Sequence, residues 1–309
     1  FSMLRPKRRL PASVFIELMS QVVATNPAMV VPLELAAYET TSFGGYLANA
    51  MKYAPTVRSA LELYSRYSLL HMSGLRIAFI ETASSAVVTV SHPIHHAGIG
   101  ELIELVAAHI GLFVKVHAKK RCMLRRVAVR ESRTGFRNYF ERFFQAPVTF
   151  LRDTQDIFLV WPRWVLGLNL RHECDTAFTL AKAEYATRLR GLTGEDASSA
   201  LSRLEAAVAT NAQDGIYDAA TLAKAAGMSV RTAQRLAARN SLSLRAIVNR
   251  WRINAAKGQL LGEPELTISE IAASLSYADD RSFRRAFKRS VGLSPTGFRK
   301  QYFDDTTAA

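Results

Sequence analysis

Two segments in the carboxyl-terminal third of the chain repeat one pattern: a short apolar helix, a tight turn and a second helix with a basic face. In the first copy, Asp218 is placed to cap the first helix, Gly227 ends it, and Ser229 is placed to cap the next one. The second copy follows about 48 residues later, with Thr267 or Ser269 as its first cap. Two helices joined by a turn of three or four residues form a helix-turn-helix, so an all-α region with two such motifs is predicted.

Apolar side chains at helical spacing supply the contact between the two helices of each copy. They are Leu222, Ala223, Ala226, Met228, Ala233 and Leu236 in the first copy, and Ile271, Ala272, Leu275, Tyr277, Phe283 and Phe287 in the second. The intervening residues 244–262 have the spacing of one long amphipathic helix. We expect that helix to hold the two copies rigidly apart.

The second helix of each copy carries polar and basic residues opposite its apolar side. Arg231, Gln234 and Arg235 stand at i, i+3 and i+4, which places them on one helix face. Such side chains read base edges in the major groove, Arg at guanine and Gln at adenine. The outward residues of the second copy are Arg281, Ser282, Arg284 and Arg285. The alternative is that these residues form only a solvated helix face.

The charge of the chain supports a polyanionic partner. Lys and Arg number 40 against 26 Asp and Glu, which gives a formal charge of +14, and residues 211–303 alone hold 15 against 7. A membrane surface would also attract such a charge. No apolar stretch reaches the ~18 residues that a membrane span needs, so no transmembrane helix is expected. All seven histidines precede residue 173, so the repeated region lacks the commonest general base of enzymes.

The repeated region resembles the DNA-binding domain of the AraC/XylS family of bacterial transcription regulators. The resemblance is carried over about 90 residues by LAKAAGMSVRTAQR, by Arg252, Ala256, Leu260 and Leu261, and by IAASLSYADDRSFRRAFKRSVGLSPTGFR. It implies that one monomer inserts both second helices into successive major grooves on one face of double-stranded DNA. Two positions depart from the family pattern: Ser276 replaces a frequent glycine, and Asn240 or Ser241 replaces another.

Carried onto the matching positions, the resemblance assigns roles to individual side chains. The implied base contacts are Arg231, Gln234, Arg235, Arg281, Ser282 and Arg285. The implied phosphate contacts or surface pairs are Arg284, Lys288 and Arg289.

The region before the repeats mixes helical and strand patterns, which predicts an α+β domain. Helices are expected over residues 13–24, 29–52 with a break at Gly44 and Gly45, 56–70, 100–118, 135–144 and 167–192. Strands are expected over 75–82 and 85–92 as a hairpin, over 122–130, and twice within 147–165. The predicted domains are residues 1–192 for effector binding and dimerisation, 193–210 as linker and leading helix, and 211–303 for DNA binding.

This region also resembles the "arabinose-binding" type of effector domain found in one branch of the family. The carrying segments are SFGGYLANAMKYAPTVRSALELYSRYSLL and GFRNYFERFFQAPVTFLRD. The resemblance implies sensing of a small-molecule effector, often dimerisation, and contact with RNA polymerase. Activation of transcription is more common than repression in the family, and the sequence leaves both open. Cysteine usage fits a reducing cytoplasm, since the chain has only Cys122 and Cys174.

A basic stretch gives one indication of the effector's chemistry. Residues 115–142 contain ten Lys and Arg with only Glu131 and Glu141 opposing them. An anion-binding pocket that uses Arg125 and Arg126 is one interpretation. A solvated strand edge protected from aggregation is favoured over it, and a surface that adds non-specific DNA affinity is a third.

Neither the histidines nor the cysteines predict a metal or redox site. His92, His95 and His96 lie around Pro93 in a loop, a weak pattern for zinc, which needs three or four ligands with closed geometry. A redox role for the two cysteines has no support from their surroundings in the sequence. No cofactor or metal is therefore expected.

The sequence predicts a cytoplasmic, sequence-specific DNA-binding transcription regulator controlled by a small-molecule effector. The first alternative is a constitutive DNA-binding regulator whose N-terminal domain only dimerises or binds a protein partner. A fused enzyme is a second alternative, but we find no nucleotide, hydrolase or zinc-protease motif, and no catalytic residue is assigned. A sequence-independent architectural protein is the third.

Overall fold

The computed structural model describes residues 12–38, 45–71, 74–92, 98–152, 154–191, 204, 207–208, 211, 216–239 and 242–304. Most of the proposed linker, residues 193–210, lies outside these ranges, as do Gly44, residues 93–97, Asn240 and Ser241.

The N-terminal part is an α+β unit, as expected. Its helices are α1 (Ala12–Thr25), α2 (Val31–Tyr38), α3 (Gly45–Lys52), α4 (Val57–His71), α5 (Ile99–His117), α6 (Arg137–Phe144) and α7 (Asp175–Gly191). Its strands are β1 (Arg76–Glu81), β2 (Ser85–Ser91), β3 (Arg126–Arg130), β4 (Val148–Leu151) and β5 (Ile157–Pro162). Short 3-10 turns span Glu131–Phe136 and Arg163–Gly167.

The five strands form one sheet in the order β1-β2-β5-β3-β4. The β1–β2 hairpin pairs Arg76 with Ser91 and Glu81 with Ala86, as the two alternating runs predict. The pairs β2–β5 and β3–β5 are antiparallel, and β3–β4 is parallel. The sheet is thus mixed, and both of its faces are covered by helices.

The inner face of the sheet packs on the helices of the N-terminal part. Ala86, Val88 and Val90 of β2 belong to the same buried cluster as Leu61 of α4 and Ile103 of α5. Because successive strand residues point to opposite faces, Ser85, Val87, Thr89 and Ser91 of β2 face the other way. Every residue of β2 is buried, so the second face has a cover of its own.

That cover is the C-terminal part, which is all-helical as predicted. Its helices are α8 (Ala219–Ala225), α9 (Val230–Arg239), α10 (Leu244–Gly262), α11 (Ile268–Ser274), α12 (Asp280–Val291) and α13 (Pro295–Asp304). A second buried cluster joins the outer sheet face, through Val87, Phe158 and Val160, to Trp251 of α10 and Tyr302 of α13. The C-terminal helical part therefore packs directly on the sheet.

Several element boundaries differ from the sequence prediction. The strand expected over 122–130 begins only at Arg126, because residues 121–124 have no strand partner and Arg125 only donates its amide to the Val160 carbonyl. The helix expected from 167 begins at Asp175, since Asn169 and Leu170 instead bridge to Thr56 and Ala118. Part of the segment expected as a helix over 135–144 is a 3-10 turn up to Phe136.

Candidate nucleic-acid interface

The first helix-turn-helix is held by the two caps that its sequence predicts. The Asp218 carboxylate accepts a hydrogen bond from the Thr221 amide at 2.8 Å, and the Ser229 hydroxyl accepts one from the Thr232 amide at 3.1 Å. The hydrogen bonds from Thr221 lower the pKa of Asp218, so the cap keeps its charge near neutral pH. Each cap satisfies amides that a helix start leaves without partners.

The second helix-turn-helix starts on Thr267, which the sequence offered beside Ser269. The Thr267 hydroxyl accepts from the Glu270 amide, and the Glu270 carboxylate accepts from the Thr267 amide at 2.7 Å, a reciprocal capping box. The next helix, α12, is capped by Asp279, which accepts from the Ser282 amide at 2.6 Å. That bond and one from the Ser282 hydroxyl lower the pKa of Asp279.

The residues assigned to base contacts lie on exposed faces of α9 and α12. Arg231, Gln234 and Arg235 are exposed, and Ala233, Leu236 and Ala237 on the opposite side of α9 are buried. On α12, Phe283 and Phe287 are buried, and the exposed residues are Arg281, Arg284, Arg285, Lys288 and Arg289. The structure therefore brings each predicted set together on one helix face.

Ser282 is placed differently from the arginines. It is half-buried, and its hydroxyl donates to the Asp279 carboxylate at 3.1 Å. A hydroxyl has one proton and two acceptor lone pairs, so Ser282 keeps only its acceptor capacity for another partner. Ser282 therefore belongs to the N-terminal turn of α12, and its base contact stays a prediction.

Arg252 of α10 joins the two helix-turn-helix units. Its guanidinium lies 4.8 Å from the ring centre of Tyr217, which precedes α8, and 5.1 Å from that of Tyr277, which follows α11. Tyr277 also donates its hydroxyl proton to the Asn249 side chain of α10 at 3.0 Å. Arg252 is one of the residues that carry the resemblance to the family, but the resemblance assigned no role to its side chain. The structure shows that it packs between one tyrosine from each unit.

The basic residues of the stretch 115–142 lie in several different environments. Arg130 and Arg133 pair with Glu101 and Glu104 of α5 in a buried cluster, with Nε to carboxylate distances of 2.9 and 2.7 Å at Glu104. The carboxylates of Glu101 and Glu104 thus neutralise two of the ten basic side chains of this stretch. Glu101 carries a lowered pKa, because the pairing with Arg130 and Arg133 outweighs its burial.

The two arginines proposed for an anionic effector, Arg125 and Arg126, lie at the contact between the two parts of the chain. Arg125 donates to the hydroxyl of Ser85 at 3.1 Å, and Arg126 donates to the Tyr302 carbonyl at 3.2 Å. The Arg126 guanidinium also lies 4.9 Å from the centre of the Tyr302 ring. Their contacts are with the protein itself, and anion binding by them stays a prediction.

An open cleft lies elsewhere in the N-terminal part, between the first 3-10 turn and α6. It has a volume of about 460 Å³ and is lined by Ala28, Thr134, Gly135, Phe136, Arg137, Asn138, Tyr139 and Arg142. This size falls within the range of small-molecule sites. Arg142 is exposed at this cleft and gives it a positive charge, whereas Arg137 donates to the Val148 carbonyl at 2.7 Å and lies 3.6 Å from the Glu141 carboxylate. Neither arginine was among the residues predicted from the sequence to bind an anion.

The remaining candidate groups are separated from one another. Cys122 is buried, and burial raises the pKa of its thiol, whereas Cys174 is exposed. His95 and His96 lie outside the described residues. Among the residues that are described, no group of three His, Cys, Asp or Glu side chains is arranged to hold a metal ion. Within the same ranges, no helix combines the length and apolar character needed to cross a bilayer.

Two capped helix pairs, each with an exposed basic second helix and joined by one shared helix, define a helix-turn-helix protein of the DNA-binding class. A family model described as a helix-turn-helix domain matches residues 222–301. A second model, described as the N-terminal arabinose-binding domain of AraC transcription regulators, matches residues 2–165. The chain belongs to the AraC family of transcription regulators.

Named relatives are similar over part of their length. The chain is 29% identical over 102 residues to the transcriptional activator NphR of Rhodococcus sp, which covers 33% of this chain and 30% of the relative. It is 28% identical over 163 residues to the HTH-type transcriptional regulator VqsM of Pseudomonas aeruginosa, which covers 53% and 49%. The chain therefore spans at most about half the length of these curated relatives in alignment.

A solved structure resembles the chain from end to end at low identity. The transcriptional regulator CdpR of Pseudomonas aeruginosa is 22% identical, with a TM-score of 0.46 over 95% of this chain and 93% of that one.

Proposed function

We propose that this protein recognises a specific double-stranded DNA site and regulates transcription under the control of a small-molecule effector. The observation that carries the proposal is the pair of exposed basic faces on α9 and α12, set on one all-helical unit. Arg231, Gln234 and Arg235 supply the base-reading set of the first face. Arg281, Ser282 and Arg285 supply that of the second.

Electrostatics supports the same proposal. Arg284, Lys288 and Arg289 are exposed beside the second base-reading set, where they can contact phosphates and fix the register of the protein on the duplex. Residues 211–303 contain 15 basic and 7 acidic residues, so the C-terminal part carries a net positive charge. Such an excess raises affinity for any DNA, and the base contacts then select among sequences.

The effector is proposed to bind the N-terminal α+β unit. The cleft beside α6 suits a small molecule with an anionic group, because the exposed Arg142 lines it. We also propose that the protein works in the cytoplasm as a homodimer, contacts RNA polymerase and activates transcription. Effector and DNA must then influence each other's affinity equally, since coupling between binding sites is reciprocal.

Selection of genomic fragments with the purified protein at near-physiological salt, followed by footprinting, tests the DNA proposal. The expected result is a protected site with two contact regions about one helical turn apart. Protection of every fragment alike would identify a sequence-independent architectural protein instead. The protein would then lack the specificity proposed here.

A constitutive regulator is the second candidate, because Arg125 and Arg126 contact the protein itself and not an open pocket. In that case the N-terminal part supports the DNA-binding part and dimerises, without a ligand. A thermal-shift screen of metabolite libraries separates the two, because a ligand that binds only the folded state raises its stability by mass action. A reproducible shift supports effector control, and the absence of any shift across anionic metabolites favours the constitutive regulator.

A further inference from the structure

The outer face of the sheet holds α10 at unusually short range. A Cβ atom added to Gly258 would lie 2.6 Å from Cδ1 of Ile80, and one added to Gly262 would lie 2.9 Å from Cγ2 of Val87. These glycines stand at i and i+4, so they face the sheet together. At these two positions, the helix between the two helix-turn-helix units packs so closely on the sheet that no side chain fits without a shift.

Polar contacts fix the position of α10 on the sheet near its C-terminal end. The Glu263 carboxylate accepts hydrogen bonds from the Ser84 amide at 2.6 Å and from the Ser84 hydroxyl at 3.0 Å. The Ser85 hydroxyl donates to the Gly262 carbonyl at 2.8 Å. The β1–β2 turn thus binds the last residue of α10 and the residue that follows it.

A buried ion pair fixes the middle of the helix. The Lys257 ammonium lies 2.8 Å from the Asp156 carboxylate, with the two side chains only 10% and 11% exposed. Asn254, one turn earlier on α10, donates to the Ser91 hydroxyl at 3.5 Å. Removing one partner of a buried ion pair leaves an uncompensated charge, so this pair is highly sensitive to substitution.

Polar and apolar contacts are mixed where α10 meets the sheet. Interfaces between domains of one chain are more polar than permanent cores and resemble transient protein interfaces. Here a charged pair and several hydroxyl contacts lie among Val87, Ile80 and Phe158. While α10 is docked, the base-reading residues of α9 and α12 remain exposed.

We infer that the outer sheet face is the docking surface through which the N-terminal domain controls DNA binding, and that it acts by seating α10 and so setting the arrangement of both recognition helices. The inference rests on the proposed function as a DNA-binding regulator. It assigns a coupling role to Asp156, Lys257, Ser84 and Glu263, which contact one another across the interface between the sheet and α10. Docking favours the state that binds the operator, and its loss lowers operator affinity.

The test uses the full chain and an operator fragment obtained by the genomic selection. Asp156→Lys places two positive charges in contact with each other, whereas combining it with Lys257→Asp restores an ion pair of opposite polarity. We expect the single variant to exchange backbone hydrogens faster in β2 and α10 and to bind the operator at least tenfold more weakly. The double variant should recover most of both losses.

Two controls separate docking from charge and from folding. Glu17→Lys makes the same charge change on an exposed position of α1 and should leave operator affinity within about twofold. Gly258→Leu adds bulk against Ile80 without changing charge, and it raises helix propensity, so α10 itself is not weakened. It should lower operator affinity as Asp156→Lys does, with affinity for random DNA unchanged.

The inference is wrong if Asp156→Lys or Gly258→Leu speeds exchange in β2 and α10 while operator affinity stays the same. It is also wrong if neither variant changes the exchange pattern. Failure of the unaltered chain to select any fragment would instead contradict the proposed function, and the exchange measurements would still decide whether the sheet seats α10.

Discussion

Gly227 and Ser276 occupy equivalent turns of the two helix-turn-helix units and share a left-handed backbone, with φ of +70° and +58°. In both turns the next residue donates its amide to a carbonyl of the preceding helix, Met228 to Ala223 at 2.9 Å and Tyr277 to Ala272 at 3.0 Å. Ser276 thus adopts the conformation expected of the glycine that it replaces. The serine that replaces the family's glycine therefore raises the conformational free energy of this turn but leaves its backbone geometry unchanged.

The shared left-handed backbone predicts that Ser276→Gly and Gly227→Ser have opposite effects on the stability of the C-terminal part. A non-glycine residue in the left-handed region costs about 1–2 kcal/mol, so Ser276→Gly should stabilise the C-terminal part by up to about 1 kcal/mol after the extra freedom of the unfolded glycine is deducted. Gly227→Ser should destabilise by about 1 kcal/mol. Among the described residues, no atom lies within 4 Å of a Cβ on Gly227, so the cost there is in the backbone.

Thermal unfolding of the two variants, followed by circular dichroism of the helices, measures these changes. A lower melting temperature for Ser276→Gly would show that the serine side chain contributes more to the turn than the left-handed backbone costs. Gly227→Ala is the control, because it carries the same backbone cost without a hydroxyl.

The sequence predicted most of the C-terminal part because its signals are local. Asp218, Ser229 and Thr267 are caps whose partners lie three residues away, and Gly262 marks the end of α10 as expected. The exposed faces of α9 and α12 follow from helical periodicity alone. The exposed residues that we propose to contact bases could therefore be placed on one helix face without a structure.

The contacts between the two parts could not be predicted in this way. Lys257 and Asp156 are 101 residues apart in the sequence, and Glu263 and Ser84 are 179 apart. No local sequence pattern identifies a lysine that is buried on a helix. From the sequence alone, Arg126 is also compatible with an anion site. The contact of Arg126 with Tyr302 becomes visible only when α13 is packed on the sheet.

Base-reading and phosphate-contacting residues should respond differently to substitution. Arg235→Ala removes a side chain suited to a bidentate contact with guanine, so we expect operator affinity to fall by about 1–3 kcal/mol with little loss on random DNA. Lys288→Ala should weaken binding to both DNAs by similar factors and reduce the slope of log K against log salt by about one. Fluorescence anisotropy at several salt concentrations measures both. An equal loss on operator and random DNA for Arg235→Ala would assign that residue to phosphate.

The arginine between Tyr217 and Tyr277 should matter for the joint action of the two units. Arg252→Lys keeps the charge but loses the planar group that stacks on both rings, so it should lower the melting temperature by a few degrees, for about 1 kcal/mol of lost contact. On the operator, we expect one of the two protected regions to weaken relative to the other. Arg239→Lys, on the exposed end of α9, is the matched control. Equal protection of both regions in Arg252→Lys would show that α10 alone sets the spacing.

Two buried histidines predict acid sensitivity of the N-terminal part. Burial lowers the pKa of His109 to about 4 against its hydrogen bond with the Leu105 carbonyl, and burial together with Lys52, His172 and Arg171 lowers the pKa of His117 to about 4. The unfolded chain binds these protons near pH 6.5, so stability is fully present above that pH and falls as the pH drops toward 4. Unfolding near pH 5 should take up about two more protons than unfolding at pH 8.

Denaturant unfolding from pH 8 to pH 4.5 measures this dependence. His117→Phe retains a ring beside Phe113, which lies 4.8 Å from the His117 ring, and should flatten the curve between pH 6.5 and 4.5. A curve as steep as that of the unaltered chain would mean that His117 is not the group that takes up the proton.

The two arginines first proposed for an anionic effector can now be separated by their contacts. Arg126→Ala removes a hydrogen bond to the Tyr302 carbonyl and the contact with its ring, so it should loosen α13 from the sheet and lower stability by about 1–2 kcal/mol without any ligand. Arg142→Ala removes an exposed charge from the cleft and should leave the ligand-free protein as stable as before. With any anionic ligand found by thermal shift, loss of the shift in Arg142→Ala places the effector in the cleft beside α6. Loss of the shift in Arg125→Ala with an unchanged shift in Arg142→Ala would place it at the contact between the two domains.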